Sequence, residues 1–376
     1  MTIPFTRSYR TGREAAYLQE ALASGQLAGN GAFGQRCSRA LETLTGSSRV
    51  FLTGSGTHAL EMAFLLLDLK PGDEVIMPSF TFASCANAVA LRGGVPVFVD
   101  IREDTLNIDE TRIEAAITKR TRAMLPMHYA GIACEMAAIG EIAKRHNLVV
   151  VEDAAHAIGA GWRGRPLGSI GALGAFSFHQ TKNLSVGEAG ALLVNDPALV
   201  GRAETAWEKG TDRLRFARGE VDRYRWVDLG SSWLASELVA APLLAQIEAL
   251  DAITGRRSAL WQRYHAGFEA AERAERLRRP AVPADSRHNG HIYYLLLRDE
   301  PARDALKQRL AERDISAVFH YVPLHSSPAG MKHGRASGGL TVTDRQAARL
   351  LRLPLYVGLS DDDCDCVIDA VLEAVR

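Results

Sequence analysis

The residues of this chain best suited to covalent chemistry are Lys182 and Asp153, 29 positions apart. Lys182 lies in Ser177-Phe178-His179-Gln180-Thr181-Lys182-Asn183, a loop of small and polar residues. Gly187-Glu188-Ala189-Gly190-Ala191 and the apolar Leu192-Leu193-Val194 follow it. A lysine set between apolar segments is a poor candidate for an ordinary solvated charge, and its amine can condense with an aldehyde. Asp153 ends the strand-like run Val149-Val150-Val151-Glu152-Asp153, the position at which α/β folds place ligands. An acid there can hold a proton on a ring nitrogen and so turn the ring into an electron sink. The pair is a means of holding pyridoxal 5'-phosphate. Asp153 would equally serve as a helix N-cap, and Glu152 could be the functional acid instead. Side chains alternate along a strand, so only one of the two can face a site.

Three further pieces suit the same cofactor. Thr53-Gly54-Ser55-Gly56-Thr57-His58-Ala59 puts glycines between a strand and a helix, so backbone N–H groups can turn toward an anion and the helix dipole adds to them. It is neither a GxGxxG fingerprint nor a Walker loop, and it also reads as a tight strand-to-helix turn. Ser177 could hydrogen-bond a phosphate. In Phe80-Thr81-Phe82-Ala83-Ser84 an aromatic just after a strand could stack on a flat ring; either phenylalanine taken alone also reads as core.

The elements around these residues alternate. Val50-Phe51-Leu52, Glu74-Val75-Ile76-Met77, Val95 to Asp100, Arg122 to Pro126 and Leu148 to Glu152 read as strands, with helical patterns over 58–69 and 136–146 and a turn at Pro71-Gly72-Asp73. This predicts an α/β fold with a mostly parallel sheet. Beyond about residue 250 the texture changes. A helical stretch over 237–273 shows a candidate break at Thr254-Gly255. A strand at 292–297, a helix at 301–313, a strand at 316–321 and a final helix capped by Ser360 follow. Two domains are expected, 1–250 and a smaller C-terminal α/β domain over 251–376, with 275–290 as a surface connection.

Lys plus Arg equals Asp plus Glu at 44 each in 376 residues, so charge offers nothing to nucleic acid or an anionic membrane. No uncharged stretch approaches the roughly 20 apolar residues of a membrane span, and Met1 to Arg7 has no signal-peptide run. Cysteines at 37, 85, 134, 364 and 366 fit neither a disulfide framework nor a zinc site. The expectation is a cytoplasmic protein without a metal.

The ordered set Ser55 to Leu60, Pro71 to Ile76, Val151-Glu152-Asp153-Ala154-Ala155-His156, Gly168 to Gly171, Phe176 to Asn183, Gly187-Glu188-Ala189-Gly190 and Tyr321-Val322-Pro323-Leu324-His325 resembles the DegT/DnrJ/StrS family of sugar aminotransferases along essentially the whole chain. The resemblance implies the pyridoxal-phosphate-dependent aminotransferase fold of type I and a homodimer with shared active sites. It makes Lys182 the Schiff-base lysine and Asp153 the ring-nitrogen partner, with His156 near the ring's 3-hydroxyl. It also makes Ser55, Gly56, Thr57 and Ser177 phosphate contacts, Phe82 the stacking aromatic, and Tyr321 and His325 sugar-nucleotide contacts.

A subgroup is resembled more closely, one that aminates C4 of dTDP-4-keto-6-deoxy-glucose to give dTDP-4-amino-4,6-dideoxy-galactose. Pro78 to Phe82, Asn107 to Glu110, His128 to Gly131, Glu208 to Arg213, Asp228 to Ser232 and Ala317 to Tyr321 carry it. The donor it implies is an amino acid, L-glutamate. Two departures from the wider family stand out. Ser231-Ser232-Trp233-Leu234 replaces the usual Asn-aromatic-Arg, passing the partner-subunit phosphate contact to Ser232, and GEAG replaces GEGG at Ala189. The rival readings are a 3-aminotransferase on a 3-keto sugar nucleotide and, from another class, a non-catalytic regulator that binds pyridoxal phosphate. No basic or helix-turn-helix segment supports the regulator, and no full glycine fingerprint supports a nicotinamide enzyme.

Overall fold

The computed structural model describes residues 2–376. Its centre is an eight-stranded sheet. The first five strands are β1 (Arg49–Thr53), β2 (Glu74–Pro78), β3 (Val95–Val99), β4 (Thr121–Met124) and β5 (Val149–Asp153). Across the sheet the order is β1, Gly190–Val194, Leu173–Ser177, β5, β4, β2, β3, Arg335–Ala336. Gly190–Val194 runs antiparallel to both of its neighbours, and the remaining pairings are parallel. The short β-rich runs separated by helical patterns thus fold as their alternation predicts.

Both faces of the sheet are covered, which is why these strands are apolar at successive positions and not only at every second one. Val50, Leu52, Ile76, Val97, Val99 and Met124 point into one core. Phe51, Val75, Met77, Phe98, Ala123 and Leu125 point into the other. Helices Ala32–Thr45, Met136–His146 and Glu237–Glu248 close the first face; Gly56–Leu66 and Ala83–Ala90 close the second.

A further core gathers Leu260, Tyr264, Phe268, Leu295, Leu310, Leu351, Val367 and Val371, together with Ile3 from the start of the chain. Its two-stranded antiparallel sheet joins Tyr294–Leu296 to Leu350–Arg352, and helices Glu300–Ala311 and Asp361–Ala374 pack on it. Ser360 caps the last helix by accepting from the Asp363 N–H.

Three sequence expectations need correcting. The long helical stretch breaks at Ala249 and again at Phe268, not at Thr254-Gly255; the helices Glu237–Glu248 and Leu250–Gly267 meet at 62°. Gly255 is carried inside a helix because packing outweighs its cost of about 1 kcal/mol. Residues 316–321 form no strand. Only Ser316 and Val318 bond in ladder fashion, Ser316 donating to the Ile3 carbonyl and Val318 exchanging both hydrogen bonds with Arg352, and beyond them His320 and Tyr321 turn to stack on each other, centroids 3.7 Å apart. The 275–290 connection is not purely superficial. Ser286–Arg287 pairs with Gly161–Trp162, and Asn289 is fully buried. No single helix among the described residues is long and apolar enough to cross a membrane.

Candidate active site

Sheet register brings the glycine loop and the lysine loop together. Gly190 pairs with Thr53 on one side and with Ser177 on the other, so the ends of three strands converge. A Cβ on Gly190 would lie 2.3–2.4 Å from the backbone of Ser55 and Gly56, and one on Gly56 would lie 2.9 Å from the Ser177 Cβ. Only glycines allow this approach. Ala189, by contrast, is buried with no positive φ, so the extra methyl in GEAG needs no strained backbone.

The helix Gly56–Leu66 starts at this junction. Ser55 is its N-cap, accepting from the His58 N–H at 3.1 Å. The Gly56 and Thr57 N–H groups have no protein acceptor among the described residues, as expected of first-turn donors. With the Ser177 hydroxyl beside them, they form a cradle for an anion.

A cavity of about 510 Å³ opens from this cradle. Ser55, Gly56, Thr57, Phe82, Asp153, His156, Ser177, Lys182 and Tyr321 all line it, so the structure gathers nearly all the predicted site residues from five separate segments. Strand alternation settles the first of two ambiguities left by the sequence. Asp153 faces the cavity. Glu152 points to the opposite side, where it accepts from His128 Nε2 at 2.8 Å and from the N–H groups of Gly168, Ile170 and Gly171 at 2.6–2.9 Å. Burial pushes the Glu152 carboxyl up, but the His128 imidazole and these backbone donors outweigh it and hold the group below its ordinary range. The second is settled by the bend at 79–81 beyond the end of β2: Phe80 is buried in the core, and Phe82, at the N-cap of the helix Ala83–Ala90, stands 59% exposed on the cavity wall. An aromatic face left open there suits a flat ring.

Lys182 is only partly exposed, toward the cavity. Removal from water, opposed by Asp153, takes its ammonium down to about 8. Asp153 is 3% exposed. The Ala155 N–H donates to its Oδ1 at 2.9 Å and the Cys85 thiol to its Oδ2 at 2.8 Å. His156 lies 3.2 Å from the Tyr321 hydroxyl through Nε2, and its Nδ1 accepts from the Ala130 N–H. An acceptor Nδ1 places the proton of the neutral ring on Nε2, so His156 donates to Tyr321 and leaves the phenol O–H free. Burial, with the Lys182 charge next in weight, keeps His156 neutral well below its usual pKa.

Asn183 and Asn289 sew this wall together. The Asn289 amide donates to the carbonyls of His156 and Ile158, and the Asn183 amide donates to the Asn289 carbonyl. His291 Nδ1 donates to Asn183 Oδ1 at 2.8 Å.

Two predicted residues stand apart from the cavity within one chain. His325 bonds Ser79 Oγ through Nδ1 at 2.8 Å and faces Asp344 at 3.4 Å through Nε2. Ser232 is exposed and lines a separate surface depression with Ala28, Arg213 and Arg218. Other lining residues were not singled out from sequence: Phe5, Thr6, Arg257, His291, His320 and Arg352. His320 carried a usable signal as the neighbour of Tyr321; for the others only the tertiary fold reveals the proximity.

The residues present fit pyridoxal phosphate. They provide an anion cradle whose close backbone approach a Cβ would prevent, an open aromatic face, a carboxylate and a desolvated amine in one cavity.

Known proteins point the same way. The DegT/DnrJ/EryC1/StrS aminotransferase family matches residues 9–372. The spore coat polysaccharide biosynthesis protein SpsC of Bacillus subtilis is 34% identical over 388 aligned positions, covering 100% of this chain and 97% of the relative. Among solved structures, DesV of S. venezuelae in complex with a ketimine intermediate superposes with a TM-score of 0.90 at 32% identity, covering 100% and 99% of the two chains. The aminotransferase TlmJ from Streptoalloteichus hindustanus gives 0.89 at 30% identity, also covering 100% and 99%.

Proposed function

Because the chain belongs to the DegT/DnrJ/EryC1/StrS aminotransferase family, we propose that it moves an amino group from L-glutamate to C4 of dTDP-4-keto-6-deoxy-glucose. The product is dTDP-4-amino-4,6-dideoxy-galactose. The coarser identity is given by the family: the chain is a sugar aminotransferase of fold type I, and pyridoxal phosphate is its cofactor. The observation that carries the catalytic reading is the convergence of the desolvated Lys182 amine and the buried Asp153 carboxylate on one cavity.

When bound, pyridoxal phosphate supplies an electrophilic aldehyde carbon and a ring that draws electrons toward its protonated nitrogen. Asp153 holds the proton on that nitrogen. Ser55, Gly56, Thr57 and Ser177 hold the phosphate, and Phe82 covers the ring face. His156, kept neutral, fixes the Tyr321 hydroxyl, which donates into the cavity. Lys182 Nζ, once free, takes the proton from Cα of the amino acid and in the return half delivers one to C4 of the sugar. Its lowered pKa suits a base working near neutrality. His320 and Tyr321 form the wall that the sugar meets.

The C4 assignment is supported by the stretches that resemble that subgroup. Glu208–Arg213 and Asp228–Ser232 pair with each other through the Glu208–Ser232 bridge and hydrogen bonds from the Val227 and Asp228 N–H groups to the Gly210 carbonyl. They form one unit next to Trp233, whose carbonyl accepts from the Gly54 N–H of the phosphate loop.

We place Ser232 at the phosphate of a partner subunit's site in a cytoplasmic homodimer, and keep His325 with Tyr321 as a sugar-nucleotide contact. In support, Ser232 lies outside this chain's own cavity, and Tyr224, Trp226, Val227 and Leu229 leave an exposed apolar stretch beside it. Chain organisation follows the same reading, with a cofactor domain over 1–250 and a smaller domain over 251–376.

The test incubates protein, pyridoxal phosphate and L-glutamate with dTDP-4-keto-6-deoxy-glucose or its 3-keto isomer. Mass spectrometry should show an amine from the 4-keto compound, and NMR should place it at C4 with galacto configuration. Amination of the 3-keto isomer alone would overturn the regiochemistry.

A further inference from the structure

One cation in the cavity has no part in the chemistry above. Arg352 ends the strand Leu350–Arg352 of the smaller sheet and reaches the cavity from the side opposite in sequence to the phosphate loop. Its guanidinium is held from two directions. Nε and Nη2 both donate to the Phe319 carbonyl, at 3.3 and 3.0 Å, and the guanidinium carbon stands 4.8 Å from the centre of the Phe5 ring. Phe5 is itself fixed, because Ile3 two residues earlier pairs with Ile315: the Ile3 N–H donates to Asp314 O and Ile3 O accepts from the Ser316 N–H. Arg352 therefore has a set orientation, yet among the described residues no carboxylate lies within ion-pair distance of it.

The other charges lining the cavity have tasks already. Arg257 donates to the carbonyls of Gly290 and His291. Asp153 is engaged by Cys85 and Ala155, and Glu188 faces His179 at 3.6 Å. A half-buried arginine held rigidly but left without an acid is a site for an anion that arrives with a ligand. The cofactor's phosphate is accommodated elsewhere, at Gly56 and Thr57. Two anions remain to be considered: the carboxylate of an amino acid and the diphosphate of a sugar nucleotide. The carboxylate is bonded directly to the carbon whose proton Lys182 removes, whereas the diphosphate sits on C1 of the sugar, several bonds from C4. Arg352 and Lys182 line the same cavity, so the group Arg352 meets belongs near the reacting carbon.

We infer that Arg352 binds the α-carboxylate of the amino donor, which makes the donor an α-amino acid and not a simple amine, with Phe5 as the backing that orients the guanidinium. This rests on the aminotransferase reading above but not on the identity of the sugar.

The experiment uses the holoenzyme and two variants, Arg352→Gln and Arg352→Lys. Succinate, a dicarboxylate that cannot react, is titrated by calorimetry, and the first half-reaction with L-glutamate is followed in single turnovers without any sugar. Removing a charge-assisted hydrogen bond should weaken succinate and the glutamate half-saturation constant by about 10- to 100-fold in Arg352→Gln. Arg352→Lys, which keeps the charge and the fold, should recover part of the loss. Cofactor absorbance and dTDP binding should stay at wild-type levels. Succinate and glutamate constants within twofold of wild type in Arg352→Gln would overturn the inference, as would a loss confined to dTDP or its sugar. If the wild-type protein converted glutamate but aminated neither keto sugar, the substrate proposal would fail while a loss in Arg352→Gln would still uphold this one.

Discussion

The thiol of Cys85 donates to Oδ2 of Asp153 across 2.8 Å, and the Ala155 N–H donates to Oδ1 across 2.9 Å. Both oxygens of the buried acid are thus held from the protein side. Burial first, and the Asp153 charge second, push the Cys85 thiol well above its ordinary pKa, so it stays protonated and remains a donor. Thr81 Oγ1 lies 3.2 Å from the same sulfur and orients it.

Cys85 is therefore a positioning residue for the carboxylate. Cys85→Ala leaves Oδ2 without its protein donor and should lower kcat by about tenfold, the scale of one hydrogen bond to a charged group. Cys85→Ser restores a donor and should recover most of the loss. Steady-state rates of the two variants decide it: equal and wild-type rates in both would dismiss the role.

Lys182→Ala should bind the cofactor without covalent attachment. Loss of the acid–base group alone predicts a fall in turnover of at least about 10²- to 10⁴-fold. Absorbance of the purified variant, which should lack the yellow imine band, and the rate of amine formation test this together; normal turnover would remove Lys182 from the mechanism.

Asp153→Asn conserves shape but cannot keep a proton on the ring nitrogen by charge. Cofactor content should stay near stoichiometric while turnover falls by about 10²- to 10³-fold, comparable to losing one electrostatic stabiliser of a developing charge. A variant that lost its cofactor entirely would instead make Asp153 a binding residue.

The Lys182 ammonium, taken down to about 8 from its ordinary 10.5 by burial, gives a pH prediction of definite sign. Only the neutral amine captures the aldehyde. The rate at which cofactor-free protein takes up pyridoxal phosphate should rise with pH and level off with a midpoint near 8; a midpoint near 10.5 would contradict the buried setting. Between these values the unfolded chain binds the extra proton, so this group adds stability as pH rises through the window and takes it away as pH falls toward 8.

Gly190→Ala would press a methyl to within 2.4 Å of the Ser55–Gly56 backbone. Backbone cannot yield as a flexible side chain does, so a cost of about 1–3 kcal/mol is expected, with weaker cofactor binding. Ala189→Gly, next in sequence, should leave cofactor affinity nearly unchanged. Thermal denaturation and cofactor titration of the two variants compare them directly; equal behaviour would mean that the close approach at Gly190 is not needed.

Local pattern alone determined much of this protein. The short apolar strand runs, the helical runs between them, the glycine turn at 54–56, the small-residue loop around Lys182 and the strand-terminal place of Asp153 could be read because each depends on neighbours in sequence. The α/β class and the cofactor chemistry followed from them. Tertiary structure decided what depends on direction and on distant partners. Register and pleat turned Asp153 inward and sent Glu152 to His128, and the bend after β2 exposed Phe82 while burying Phe80. The helix break fell at Ala249 because packing, not glycine content, set the bend. Arg352 came to Phe5 across most of the chain's length, and no sequence spacing announces such a contact, since a cavity is shared by residues whose only relation is the fold that closes around it.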